Sequence, residues 1–112
     1  MKQITAIVRP EVLEPLKDAL SEAGASGMTI FEVQGFGHQH GWKEFVRGSE
    51  VLLTMVPKVE VMLVVDDGEV ESLVERICTV ARTGEVGDGK IFITPVDDVV
   101  RIRTGERGAT AL

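Results

Sequence analysis

Apolar and polar positions along the chain change period several times, and each change marks an element. Residues 3–9, QITAIVR, are β-branched and stop at Pro10, which predicts a strand. From Val12 the period lengthens, and Val12, Leu13, Leu16, Ala19, Leu20 and Ala23 fall on one helical face. Pro15 belongs in the first turn, where its missing N–H costs nothing, so the helix begins near Val12 and closes at Gly24 and Gly27. Alternation returns in MTIFEVQGF (28–36), a second strand with Thr29, Phe31 and Val33 opposite Ile30 and Glu32. Residues 37–57 lack a clean period and read as a long loop, which in so small a domain is functional or mobile. KVEVMLVV (58–65) resumes as a strand. Asp66 or Asp67 then caps a second helix with Val70, Leu73, Val74, Ile77 and Val80 as its apolar stripe. KIFITPV (90–96) is a fourth strand, VVRIR (99–103) a short fifth segment, and 104–112 a polar tail.

This order, strand–helix–strand, long loop, strand–helix–strand, fits one α+β domain over residues 1–112. Its expected fold is a ferredoxin-like βαββαβ sandwich with two helices on one face of a four-stranded antiparallel sheet. The strands carry apolar residues on both faces, so oligomerisation is expected to bury the second one.

Composition narrows the function. A net charge of −6 argues against a general nucleic-acid binder, because phosphate backbones reward cationic surfaces. The single cysteine, Cys78, excludes an internal disulfide and any cysteine-based metal framework, and its apolar helical setting predicts a buried structural thiol. The apolar run at the N-terminus is too short for a signal peptide or a membrane span, so a cytoplasmic location without membrane insertion is expected.

The run TGEVGDGK (83–90) nearly spells a Walker A loop. However, it follows a helix and precedes a strand, and Ile91 stands where a magnesium-binding hydroxyl belongs. Two readings stay open. Gly84, Gly87 and Gly89 permit close backbone approach to phosphate with Lys90 as the cation, or Gly84 caps a helix ahead of a ligand-free turn. Arg101 and Arg103, alternating on a strand, would project from one face. With Lys58 at the base of the long loop, they favour an anionic ligand in an otherwise acidic protein. His38 and His40 with Glu44 nearby are thin evidence for a metal site, lacking a third placed ligand. Trp42, Phe45 and Val46 read as contacts to a partner or to one another. No Ser–His–Asp, Cys–His or paired-carboxylate arrangement supports catalysis, so the chain reads as no enzyme. A slow nucleotide hydrolase, with Asp88 or Glu106 as its base, is the contrasting hypothesis, and a purely structural oligomer is another.

TGEVGDGKIFITPVDDVVRIRTGERG, together with GMTIFEVQGFG, RGSE and PKVEV, resembles the PII nitrogen-regulatory signalling family over the whole chain. The resemblance implies a homotrimer of ferredoxin-like subunits with three nucleotide sites between neighbours, where ATP and ADP compete and 2-oxoglutarate binds with Mg-ATP. Residues 83–90 would be the B-loop, contacting phosphates through Gly87, Asp88, Gly89 and Lys90, with Arg101 and Arg103 reaching across from the adjacent subunit. Further nucleotide contacts are implied for Met28, Thr29, Gly35, Gly37, His38, Gln39 and Val64. Gln39 would help hold the Mg²⁺, and Gln39, His40, Gly41 and Lys58 would meet 2-oxoglutarate. Residues 37–55 would be the T-loop, which meets a transporter or regulatory enzyme through Trp42, Glu44, Phe45, Arg47 and Val51. Residues 102–112 would be the C-terminal loop.

Departures from the family pattern are equally informative. Val51 stands where many members carry a nucleotidylated tyrosine, and this chain contains no tyrosine, so that modification is chemically excluded. Ser49 occupies a position phosphorylated in some relatives. His38 and His40 replace the usual Arg and Lys, which implies weaker or pH-dependent ligand binding. Met62 replaces a common glutamate near the adenine, and Thr54 and Met55 replace an Asp–Phe pair. Intact sensing with an altered partner is the expectation, with metal or carbon uptake as an alternative process.

Overall fold

The computed structural model describes residues 1–36, 42–46, 49–53 and 55–112, and the side chains of 37–54 lie outside that description. In chain order it contains β1 (Lys2–Val8), α1 (Leu13–Glu22), β2 (Thr29–Gly35), β3 (Trp42–Val46), β4 (Ser49–Leu53), β5 (Val56–Val65), α2 (Val70–Ala81) and β6 (Lys90–Pro95). Four strands form an antiparallel sheet in the order β2–β5–β1–β6, as expected for a ferredoxin-like α+β sandwich. β1 lies inside it, paired with β5 from Lys2↔Val65 to Val8↔Val59 and with β6 from Lys2↔Pro95 to Ile7↔Lys90.

The period-2 pattern sorts the two faces. Ile4, Ala6 and Val8 of β1 and Val59, Val61, Leu63 and Val65 of β5 are buried in one cluster with Leu16, Leu20, Leu73 and Ile77 of the helices. The opposite face carries Thr5, Glu60 and Met62 between two aromatics, Phe31 and Phe92, which are 45% and 49% exposed in the single chain.

Local chemistry explains the element ends. Pro10 opens a short 3-10 turn ahead of α1, and Pro15 sits in the first turn of the helix. At the far end Ala25 N donates to Leu20 O and Gly24 N to Ser21 O, both at 3.0 Å, while Gly24 takes φ +91°. This is the paired-bond glycine stop that satisfies the last carbonyls. Neither Asp66 nor Asp67 caps α2 as the sequence implied. The entry is again a 3-10 turn without a side-chain cap, and Asp67 pairs with the Met1 amino group at 3.0 Å.

Three further expectations need correction. The 37–57 stretch is not wholly loop: β3 and β4 pair as an antiparallel ribbon from Trp42↔Leu53 to Val46↔Ser49, and β5 begins at Val56. Residues 99–103 are not a strand. Only Val100 bridges to Arg107, because Arg101 N bonds Glu106 O and Gly105 N bonds Arg101 O, which turns the chain back at once. Cys78 is half-buried rather than buried. Among the described residues no helix is long and apolar enough to cross a membrane.

The fully buried Leu20 and the fully exposed Ile102 bracket the cost of side-chain loss. Leu20→Ala is expected to cost about 2–5 kcal/mol in urea denaturation, and Ile102→Ser within about 0.5 kcal/mol of zero.

Candidate functional site

α2 stops at Ala81, and Arg82 is already extended (φ −74°, ψ 125°), so Gly84 is not a helix cap. Instead the chain folds around Asp88. Its carboxylate accepts from Thr83 N at 2.8 Å, Gly84 N at 2.9 Å and the Thr83 hydroxyl, and from Arg9 Nε at 3.3 Å. These bonds, the Thr83 hydroxyl foremost, hold the Asp88 carboxyl far below the usual carboxylate range.

Two cations then fix the loop's peptide planes. Arg9 Nη2 donates to Val86 O at 2.8 Å, and Lys58 Nζ donates to Gly87 O at 2.5 Å. In a trans peptide the N–H points opposite to its carbonyl, so the Gly87 and Asp88 amides are turned away from these cations. Neither amide makes a hydrogen bond among the described residues. Adjacent N–H groups presented together in this way suit an anion, and the exposed Lys90 begins the next strand beside them.

Glycine is required at this loop. Gly87 and Gly89 have φ of +105° and +103°, and a Cβ on Gly89 would lie 1.7 Å from the Ile7 carbonyl oxygen. Gly35 is also constrained, since a Cβ there would meet Lys58 Cγ at 3.1 Å. Lys58 is 8% exposed, and its pKa is lowered by burial first and by the neighbouring Arg9 second. An incoming anion would relieve that repulsion.

A second group of predicted residues lies elsewhere. Thr29 pairs with Met62, and Val64 lies opposite Gln3, which in turn faces Thr94. Lys90 lies opposite Ile7. The Val64 level is therefore four residues along β1 from the loop, about 13 Å at about 3.3 Å per residue. The C-terminal tail joins this second end. Ala109 and Leu112 line a cavity of about 120 Å³ with Gly24, Gly27, Val64 and Asp66. Arg101 belongs to the tail end, where it donates to Glu106 and to tail carbonyls, so it does not share a strand face with Arg103.

The structure thus brings together Gly35, Lys58, Gly87, Asp88, Gly89 and Lys90 at one end of the sheet. Val64 lies toward the other end, beside the tail that holds Arg101, with Arg103 on the same turn, whereas Thr29, after Met28, lies opposite Met62 at the level of Thr5, midway along β1. Gly37, His38, Gln39, His40, Gly41 and Arg47 lie outside the described residues, as do the side chains of Trp42, Glu44, Phe45, Ser49 and Val51. Arg9 and Thr83 were missed from sequence. Arg9 acts across a separation of 79 residues to Asp88, and nothing local to RPEV points there. Thr83 could have been found, since a threonine ahead of a glycine loop can accept from the amide two residues on, as it does from Glu85 N at 3.2 Å.

The sign of the Asp88 contribution to stability follows from its lowered pKa. It is fully present above the unfolded-state value of about 3.9 and is lost as pH falls through the folded-state value. The stability gap between wild type and Asp88→Asn is expected to be widest near pH 7 and to shrink below about pH 3.5, read from urea midpoints. Gly89→Ala is expected to cost about 2–4 kcal/mol in the same assay.

The family model for nitrogen regulatory protein P-II matches residues 1–106. The chain is 52% identical over 112 residues to a nitrogen regulatory protein P-II of Synechocystis, covering all of both chains. It is 49% identical over 112 residues to that of Azospirillum brasilense, again covering 100% of each. It is also 52% identical to nitrogen regulatory protein P-II 2 of Methanothermobacter thermautotrophicus, covering 97% of that protein. The family model spans nearly the whole chain and these relatives match it from end to end, so the chain belongs to the nitrogen regulatory protein P-II family.

Proposed function

We propose that the protein is a non-catalytic signalling protein that senses adenine nucleotides at the 83–90 loop and reports occupancy to a partner through residues 37–55. One observation carries this reading: Arg9 and Lys58 hold the carbonyls of Val86 and Gly87, leaving the Gly87 and Asp88 amides turned outward next to Lys90. Such a donor set fits a polyphosphate, whose charge and several oxygens it can meet without rearrangement. The internal use of Asp88 and the pairing of Glu106 with Arg101 weigh against either as a hydrolytic base.

The separation of the two residue groups supports a shared site. A nucleotide at the loop end of one chain would meet Thr29, Val64, Arg101 and Arg103 of a second copy, as in a homotrimer of interleaved neighbours. The exposed Phe31 and Phe92 on the uncovered sheet face fit burial in that assembly. Magnesium with ATP would fall to Gln39. 2-Oxoglutarate would pair its carboxylate with Lys58 in competition with the Gly87 carbonyl, and His40 and Gly41 would complete that contact. The partner, a transporter or a nitrogen-metabolism enzyme in the cytoplasm, would meet Trp42, Glu44, Phe45, Arg47 and Val51. Ser49 is a candidate for phosphorylation.

Calorimetry with ATP tests the reading. Lys90→Ala and Arg103→Ala are each expected to weaken binding at least tenfold. Co-refolding the two variants is expected to restore a minority of full-affinity sites, because some junctions then pair an intact loop end with an intact tail end. Absence of nucleotide binding by the wild-type protein stripped of carried-over ligand overturns the proposal, and absence of recovery on mixing overturns the shared site. With Mg-ATP present, 2-oxoglutarate is expected to release heat with wild type and not with Lys58→Met.

A further inference from the structure

Arg101 is engaged by its own chain. Nη1 donates to Glu106 Oε1 at 3.0 Å, and Nη2 donates to Thr110 O at 3.2 Å and to Leu112 O at 3.4 Å. The backbone presents these groups to one another: Arg101 N bonds Glu106 O at 2.9 Å and Gly105 N bonds Arg101 O at 2.8 Å. Gly105 closes the turn with φ +74°. The tail is seated rather than loose, since Ala111 is buried and Leu112 lies by the Gly24–Gly27 turn and the end of β5. Arg103, two residues away, makes no such hydrogen bond among the described residues.

One carboxylate oxygen and two carbonyl oxygens around a guanidinium resemble the acceptor set that a phosphate group offers. We propose that Glu106 and the terminal turn Gly108–Ala111 form an internal competitor for Arg101, occupying it until a polyanionic ligand takes their place. The inference rests on the nucleotide reading above and adds a regulator to that site. Displacement of Glu106 also strips the terminal turn of its anchor at Thr110 and Leu112, so ligand occupancy at Arg101 unseats the tail. Arg103 carries no such competitor and contributes its charge directly. A side-chain pair of this exposure shifts an equilibrium constant by about two- to five-fold, enough to tune an affinity without abolishing it.

Calorimetric titration of ATP into wild type, Glu106→Gln and Asp97→Asn at pH 7 tests this. Glutamine keeps an acceptor oxygen for the turn, and Asp97→Asn removes an equal charge from an exposed site nearby. Glu106→Gln is expected to bind about two- to five-fold tighter than wild type, and Asp97→Asn less than about 1.5-fold tighter. Equal or weaker binding by Glu106→Gln overturns the competitor while leaving nucleotide sensing intact. Equal tightening in both variants overturns it as well, since bulk charge would then account for the effect. Binding by Glu106→Gln but not by wild type supports it, and binding by neither variant nor wild type overturns both this proposal and the nucleotide reading.

Discussion

The antiparallel pairing of β1 with β5 is the constraint on which the rest depends. Its register, Lys2↔Val65 through Val8↔Val59, sends Ile4, Ala6 and Val8 to the helices together with Val59, Val61 and Leu63. A slip of one residue would turn Gln3, Thr5, Glu60 and Met62 into the core and expose the aliphatic set, so the alternative is strongly disfavoured. The same register sets the loop end. It puts Lys58 at the level of the β1 terminus, where Arg9 emerges, and so brings two cations to adjacent carbonyls of the 83–90 loop.

An acidic chain can therefore gather two cations at one point, with Asp88 and Glu11 as their nearby counter-charges. Its formal charge of −6 describes the surface as a whole, whereas a buried lysine beside an arginine describes one point. Asp88 prevents that point from becoming a simple repulsion. Its carboxylate shares Arg9 and is itself fixed by Thr83 and Gly84, so the loop is preorganised by groups that do not need to touch a ligand.

Much of the fold was readable because local signals agreed with tertiary packing. Pro15 and Gly24 bracket α1, the apolar stripe of α2 includes the buried Val70, Leu73 and Ile77, and the period-2 runs gave the main strands. What escaped reading was decided by contacts between distant residues or by turns. WKEFV and SEVLL pair with each other, yet each run is short and carries charges. VVRIR has strand composition, but the bonds from Arg101 to Glu106 and Gly105 end it after one bridge. The sequence offered the glycine loop as a candidate phosphate site, whereas its two supports were not equally legible. Lys58 stood out as a cation at a strand start, and Arg9 could be recognised only once β1 and the loop were side by side. The resemblance to the P-II family placed Arg101 at a nucleotide without indicating what holds it otherwise.

The division of the candidate site between the two ends of one sheet has a geometrical consequence. A loop end that meets a neighbour's tail end is a heterologous contact: the two surfaces differ, and each copy offers one of each. Contacts of this kind propagate from copy to copy, and whether they close into a ring or run on as a filament depends on the rotation relating neighbours. On the shared-site reading, the twist and length of the β1–β5 ladder do more than separate two half-sites. They fix how the two contact surfaces are disposed on each copy, one of the terms on which the number of binding sites in a closed particle depends.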